Sequence, residues 1–303
     1  MTKITLHPSY LLTVTALALL AVPAPAGNEA LDVRPRAARQ GDPLFLRLEL
    51  PGAENPKVSW LNGTYPLYRE GSAWAGAVPI RPETRVGGHT VVVRFTSGGR
   101  AESVRRVIEV HRVDYPVQHL RMARSTAKLY NYPGVEKENR IIGTAIRAKS
   151  DEQLWEGDWL MPSKGRISTK FGERRLRNGK YVGRHRGLDI AAKQGTPVLA
   201  SAAGKVVLAG SYRKHGKTVV VDHGQGITSL YIHMSAIHVR KGQQVKRGQR
   251  LGSVGSTGVS TGPHLHWSIY VHGTPLEPLR FCRLSRVMAL RNGKAEDNLA
   301  SAR

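Results

Sequence analysis

Apolar and polar positions alternate most cleanly near the C-terminus, in Gly262-Pro263-His264-Leu265-His266-Trp267-Ser268-Ile269-Tyr270-Val271. Leu265, Trp267, Ile269 and Val271 share one parity, which predicts a half-buried β-strand over 264–272. Residues two apart on a strand point to one face. His264 and His266 therefore project side by side, opposite Leu265 and Trp267. Two imidazoles so placed suit a metal site or an acid/base pair, and equally a surface strand with two solvated histidines; the motif alone leaves both open.

Short strand patterns separated by turn signals fill the rest of the chain. Over 27–111, partly alternating runs at 44–50, 57–61, 73–80, 89–96 and 103–110 are divided by Pro51-Gly52, Asn62-Gly63, Gly87-Gly88 and Ser97-Gly98-Gly99. This predicts a small β-sandwich of immunoglobulin-like type. Residues 112–154 read as a connector with one helix over 135–149, whose apolar face is Val135, Ile141, Ile142, Ala145 and Ile146 and whose first turn carries Glu136 and Glu138. That helix could pack two domains together. Residues 155–282 are Gly-punctuated strands with no helix of note, predicting a compact domain of two stacked antiparallel sheets. Residues 283–303 read as a polar tail. The expected fold class is thus mainly β: a sandwich, a partly helical connector and a C-terminal two-sheet domain.

Residues 1–26 place Lys3 before an uncharged apolar run, Tyr10 to Val22, and the small-residue exit Pro23-Ala24-Pro25-Ala26. This is the pattern of a secretory signal, with cleavage expected after Ala26. An uncleaved anchor is the alternative, since 4–27 carries no formal charge, although its prolines oppose a continuous helix. Export predicts a periplasmic, cell-envelope or extracellular protein. The 46 Lys+Arg against 22 Asp+Glu, a formal net charge of +24, favour an anionic partner. Nucleic acid conflicts with the export pattern, and no nucleic-acid module is recognisable. Cys282 is the single cysteine, so no internal disulfide can form, and it reads as a buried thiol.

A second motif, His185-Arg186-Gly187-Leu188-Asp189, has His185 and Asp189 facing one way in extended chain, with Gly187 between them. Imidazole and carboxylate together suit Zn²⁺. His185-x-Gly187-x-Asp189 with Gly262-Pro263-His264-Leu265-His266 resembles the LytM/lysostaphin-type zinc metallopeptidases, family M23. The resemblance runs over roughly 155–280. It takes in Phe171-Gly172-x-Arg174, Gly195-Thr196-Pro197-Val198, Ala203-Gly204-Lys205-Val206, Asp222-His223-Gly224, Leu230-Tyr231-Ile232-His233 and Gly258-Val259-Ser260-Thr261-Gly262.

The resemblance implies an exported zinc metalloendopeptidase acting on peptide cross-links of bacterial peptidoglycan. It implies one zinc ion on His185, Asp189 and His266, with a fourth position open for water. It also implies two non-ligand active-site histidines, His264 to move protons and His233 to orient water or stabilise an oxyanion. Some relatives of this fold lose ligands and serve as scaffolds that activate other wall hydrolases; both motifs are intact here. Of the other histidines, His223 is expected to be structural, and His89 and His111 to lie at strand ends on the surface. His215, His238 and His272 are expected to be solvated. The basic stretch 174–184, turning at Asn178-Gly179, is expected to form a hairpin leading into His185, either simply solvated or placed to hold stem-peptide carboxylates.

Overall fold

The structure, a computed structural model, describes residues 28–120, 128–130, 132–177 and 179–291. The signal-like segment 1–26, Asn178 and the chain after 291 lie outside them. The N-terminal strands are β1 (Leu31–Arg34), β2 (Ala37–Arg39), β3 (Pro43–Leu48), β4 (Glu54–Trp60), β5 (Gly63–Pro66), β6 (Tyr68–Glu70), β7 (Ala73–Pro79), β8 (Gly87–Ser97) and β9 (Arg100–His111). They form two sheets, ordered β1-β3-β7-β6 and β2-β9-β8-β4-β5. In β9 the alternation is clean: Val104, Ile108 and Val110 are buried while Arg105, Val107 and Glu109 face outward. Those buried residues meet Leu44, Leu46 and Leu48 of the other sheet around Trp60 in one core. This is the two-layer solution for sheets with one apolar face each.

The second unit begins earlier than its glycine-rich composition indicates. Strand β10 (Val117–Leu120) lies within the expected connector, yet it pairs in parallel with β12 (Arg174–Arg177), which forms the expected hairpin with β13 (Lys180–Arg184). Helix α1 (Val135–Ala145) follows β10, and β11 (Arg166–Thr169) precedes the hairpin. Then come β14 (Leu188–Ala191), β15 (Pro197–Leu199), β16 (Gly204–Tyr212), β17 (Gly216–Gly224), β18 (Ile227–Met234), β19 (Ala236–Ile237), β20 (Gln244–Val245), β21 (Arg250–Ser253), β22 (His264–Val271) and β23 (Thr274–Leu276). The main sheet runs β11-β14-β22-β18-β17-β16-β20, with β23 on β22; a smaller sheet runs β15-β21-β19. Val198 and Leu251 from the smaller sheet and Leu265, Trp267 and Ile269 from the main one share a core.

Strand β22 corrects the half-buried expectation. It is a central strand between β14 and β18, and every residue from Leu265 to Val271 is buried. Its second face is covered by α1, where Ile142 and Ala145 pack with Val220, Leu230, Ile232 and Tyr270. The helix ends at Ala145, not Lys149, and its buried stripe is Glu138, Ile142 and Ala145, while Ile141 is exposed. Glu138 can be buried because it accepts hydrogen bonds from the Tyr132 hydroxyl, the Lys214 and His215 backbone N–H groups and the His215 ring.

The helix that joins the two units is a different one. Chain past 277 forms α2 (Pro278–Arg291), so residues 283–291 are helical where a polar tail was expected. Phe281 of α2 is fully buried and packs its ring against Phe45 (centroids 5.6 Å apart) and Trp159 (4.9 Å). Arg280 donates from Nε and Nη2 to the two oxygens of buried Asp42, at 2.8 and 2.6 Å. The Tyr115 hydroxyl donates to the Gln40 carbonyl at 2.7 Å, and Arg184 donates to Glu83 at 2.8 Å. Apolar contact and charge-assisted hydrogen bonds thus hold the two units at one fixed angle. Cys282, half-buried beside this joint, has its thiol pushed up to about 12 by burial, as an inert thiol should.

His223 lies fully inside the second unit, between the Ala203 carbonyl and Ser229 Oγ, each 2.7 Å away. Burial pushes its imidazole down to about 4. An unfolded imidazole titrates near 6.5, so between about pH 6.5 and 4 the unfolded chain takes a proton that the folded chain refuses. Stability should therefore fall as pH drops through that window, by up to about 3 kcal/mol from this residue. Urea unfolding midpoints of metal-free protein, followed from neutral pH downward, should show a shallower pH dependence in His223→Gln than in the unsubstituted chain. Equal slopes would rule the assignment out.

Candidate metal centre

The site is built on the pairing of β14 with β22. Their antiparallel register sets Asp189 directly across from His266 and Ala191 across from His264. Cross-strand partners share a face, so Asp189 and His266 meet without any loop between them. His185 arrives differently. Strand β14 begins only at Leu188, so strand parity does not bring His185 to Asp189 as the sequence spacing implied. The chain bends at Gly187, and the His185 backbone is pinned by two hydrogen bonds to Gly172 and Glu173, both 2.9 Å.

Three atoms then converge. His185 Nε2 lies 3.0 Å from Asp189 Oδ1 and 2.9 Å from His266 Nδ1, and His266 Nδ1 lies 2.7 Å from Asp189 Oδ1. The remaining ring nitrogens are engaged elsewhere: His185 Nδ1 is 2.8 Å from the Lys170 carbonyl and His266 Nε2 is 2.9 Å from Ser268 Oγ. A carbonyl only accepts, so Nδ1 of His185 carries the proton and its Nε2 is a lone pair. Ser268 Oγ can accept from His266 Nε2–H, and in that tautomer His266 Nδ1 is a lone pair as well. All three residues are buried. In those tautomers three electron-pair donors face one point with no shared proton, a repulsion that a cation would relieve, so this donor set fits a divalent metal ion of zinc type. Burial pushes the His266 imidazole down to about 4. Neutral imidazoles and an ionised carboxylate are the protonation states that ligate.

Two further imidazoles flank this point. His264 Nε2 is 4.0 Å from Asp189 Oδ1, and its ring lies 4.9 Å, centroid to centroid, from that of His233. His233 reaches this face by an exception. Ile232 is opposite His266 in the β18–β22 register and already packs on the same side, so strict alternation would send His233 the other way. Its left-handed backbone (φ 65°) at a register irregularity turns it back. His233 Nδ1 donates to the Thr257 carbonyl at 2.8 Å, and His264 Nδ1 to the Gly262 carbonyl at 2.8 Å. Both therefore present Nε2 lone pairs. Burial, with His264 and His266 nearby, pushes His233 down to about 3.

The structure thus brings together all five residues singled out in the sequence: His185, Asp189, His266, His264 and His233. It also adds groups that were not. Ser268, two residues beyond His266 on β22, was within reach of the same parity argument. The carbonyls of Lys170, Thr257 and Gly262 act through backbone atoms and leave no side-chain signal. His215 is not solvated as expected but engages Glu138, while its carbonyl accepts the His233 N–H at 3.1 Å. His272 is likewise half-buried, against Tyr65 of the N-terminal unit. His238 and His111 are exposed, and His89 is half-buried beside Trp60.

Gly187 has a steric reason that sequence spacing only approximated. A Cβ there would overlap Ser268 Oγ and the Trp267 carbonyl and come within 2.8 Å of His266 Nε2. The glycine lets β14 and β22 close on each other; it does not merely leave room for an ion. Gly187→Ala should cost about 1–3 kcal/mol of stability by overpacking and weaken divalent-metal binding. Calorimetric titration with zinc and a urea unfolding curve check both, and an unchanged zinc affinity would contradict the steric account.

The model of Peptidase family M23 matches residues 183–278. A Pseudomonas aeruginosa crystal structure described as a peptidase M23 aligns over 80% of this chain and 94% of its own, at 31% identity and a TM-score of 0.60. Over 119 residues, 39% of this chain, the sequence is 45% identical to peptidoglycan DD-endopeptidase ShyA of Vibrio cholerae. Over 124 residues, 41% of this chain, it is 35% identical to murein hydrolase activator NlpD of Escherichia coli. The matched stretches span 28% and 31% of those two proteins' own lengths.

Proposed function

The chain belongs to peptidase family M23, and we propose that it is an exported, zinc-dependent metalloendopeptidase that hydrolyses peptide cross-links of bacterial peptidoglycan. The observation that carries this reading is the convergence of the His185, Asp189 and His266 donor atoms on one point, with the His264 and His233 rings beside it. Similarity to a peptidoglycan DD-endopeptidase supports the substrate class. The apolar, signal-like N-terminus and the +24 charge support action on an anionic wall outside the cytoplasm.

His185, Asp189 and His266 would hold the ion. Zinc bound there would supply Lewis acidity and lower the pKa of water toward neutrality. The protein's own part is proton handling. His264 is the more open of the two flanking histidines, and its Nε2 lies 4.0 Å from the Asp189 carboxylate. It takes the proton of the attacking water on Nε2 and returns it to the leaving amine. His233 cannot share that task equally, because burial and its imidazole neighbours oppose protonation. Its Nδ1–H is committed to Thr257, so its free Nε2 can accept from a water but cannot donate to an oxyanion. Water orientation is the role its tautomer permits.

A second reading is favoured by the similarity to a murein hydrolase activator: a non-catalytic partner of another wall hydrolase. The intact donor set argues against it. His264→Ala should retain stoichiometric zinc while hydrolysis of purified peptidoglycan falls about 10²–10⁴-fold. His233→Ala should retain zinc with a smaller loss. Undiminished cleavage in His264→Ala would end the role assignment. Zinc-loaded protein that releases no muropeptides, yet stimulates a separate wall hydrolase, would establish the activator reading.

A further inference from the structure

The geometry points to Arg175 as a positioning residue that holds the Asp189 carboxylate in a one-oxygen presentation to the metal point, and to Gln118 as the residue that holds Arg175. This rests on the zinc reading above. Asp189 divides its two oxygens between different neighbours. Oδ1 faces His185 and His266, while Oδ2 lies 3.5 Å from Arg175 Nη2. A carboxylate free to rotate can offer a metal both oxygens, and the second would take the position that a substrate water needs. An Arg on Oδ2 opposes that rotation.

Arg175 is itself fixed. Its Nε donates to Gln118 Oε1 at 2.9 Å, and Gln118 Nε2 donates to Thr169 Oγ1 at 3.3 Å. Gln118 is in register with Arg175 in the parallel pair of β10 and β12. Thr169 is the residue opposite Asp189 in the pair of β11 and β14. The contacts therefore close a ring: Asp189, Arg175, Gln118, Thr169 and back through the sheet to Asp189. Gln118 belongs to the segment that links the N-terminal sandwich to the second unit, so the connector reaches the metal centre through one side chain.

Charge and orientation predict opposite outcomes here. A guanidinium near a dication is repulsive, so if charge dominated, removing it would tighten metal binding. If orientation dominates, removing it loosens binding. Full-length protein stripped of metal is titrated with zinc against a chromophoric chelator, and separately with Co²⁺ while its visible absorption is recorded. Arg175→Met should bind zinc about 10–100-fold more weakly, and Arg175→Lys should recover part of the loss. The Co²⁺ bands of Arg175→Met should lose intensity as the second carboxylate oxygen enters the coordination sphere. Gln118→Leu should show a smaller loss, and none in the Arg175→Met background, because nothing then remains to be positioned. Unchanged or tighter zinc binding by Arg175→Met overturns the inference, as does an equal Gln118→Leu loss in both backgrounds. Should Arg175→Met fail to fold by circular dichroism, Gln118→Leu, which touches no proposed ligand, decides by its affinity and Co²⁺ spectrum. A wild-type chain that binds no zinc overturns the zinc reading, and this one with it.

Discussion

The centre depends on one close approach: β14 laid against β22 at a distance only a glycine at 187 permits. That approach puts a carboxylate and an imidazole opposite each other inside a sheet whose other face is packed with Leu265, Trp267 and Ile269. Everything else in the site corrects for the consequences. Bringing Asp189, His185 and His266 within 3.0 Å of one another concentrates lone pairs where water cannot separate them. The outer nitrogens are tied to the Lys170 carbonyl and Ser268 Oγ, partners that can each take the ring proton and leave the inner nitrogens bare. Such a cluster is unfavourable in isolation, and a cation among the three donors would relieve it. Burial, usually hostile to charge, serves the site: it keeps the His266 and His233 imidazoles neutral and available.

Helix α1 and the loop it anchors play a quieter part. The buried Glu138 carboxylate gathers the Lys214 and His215 backbone and the His215 ring. The His215 carbonyl in turn receives the His233 N–H, at the position where the backbone is left-handed. A non-glycine residue in that conformation costs about 1–3 kcal/mol, and it persists because its neighbours on both sides are hydrogen-bonded. The helix therefore does more than cover the apolar face of Tyr270 and Ile232; it secures the loop that holds the backbone of one flanking histidine.

What could be read from sequence follows from what sequence encodes. Parity along β22 placed His264 and His266 on one face, and that survives in the structure. The prediction that this strand was half-buried did not, because the covering helix lies more than a hundred residues away and packs on it only in three dimensions. His185 and Asp189 were paired for a partly mistaken reason: a bend at Gly187, not extended chain, brings them together. His233 is the sharpest case. Its neighbours alternate, and alternation alone would have pointed it into the core; only the backbone angle at that residue reverses it. Helix α2 was missed because its first turns, Pro278-Leu279-Arg280-Phe281-Cys282, spend their apolar residues on the joint with Phe45 and Trp159 and leave a short, basic surface that resembles a tail.

That joint changes how the N-terminal sandwich bears on the cleft. Were the two units tethered by a flexible connector alone, the sandwich could tune only the local concentration of substrate. Instead Phe45 and Ala77 of the sandwich are counted within the core of the second unit, Asp42 is sealed under Arg280, and Arg184, one residue before His185, is fixed to Glu83. Displacing the sandwich would expose apolar surface, strand a buried carboxylate and loosen the strand end that delivers His185. Each of these is costly on the scale of a few kcal/mol, so the sandwich acts as a wall of the site's own frame. Its loop 81–86 and the basic hairpin line two neighbouring clefts, one of which reaches His185.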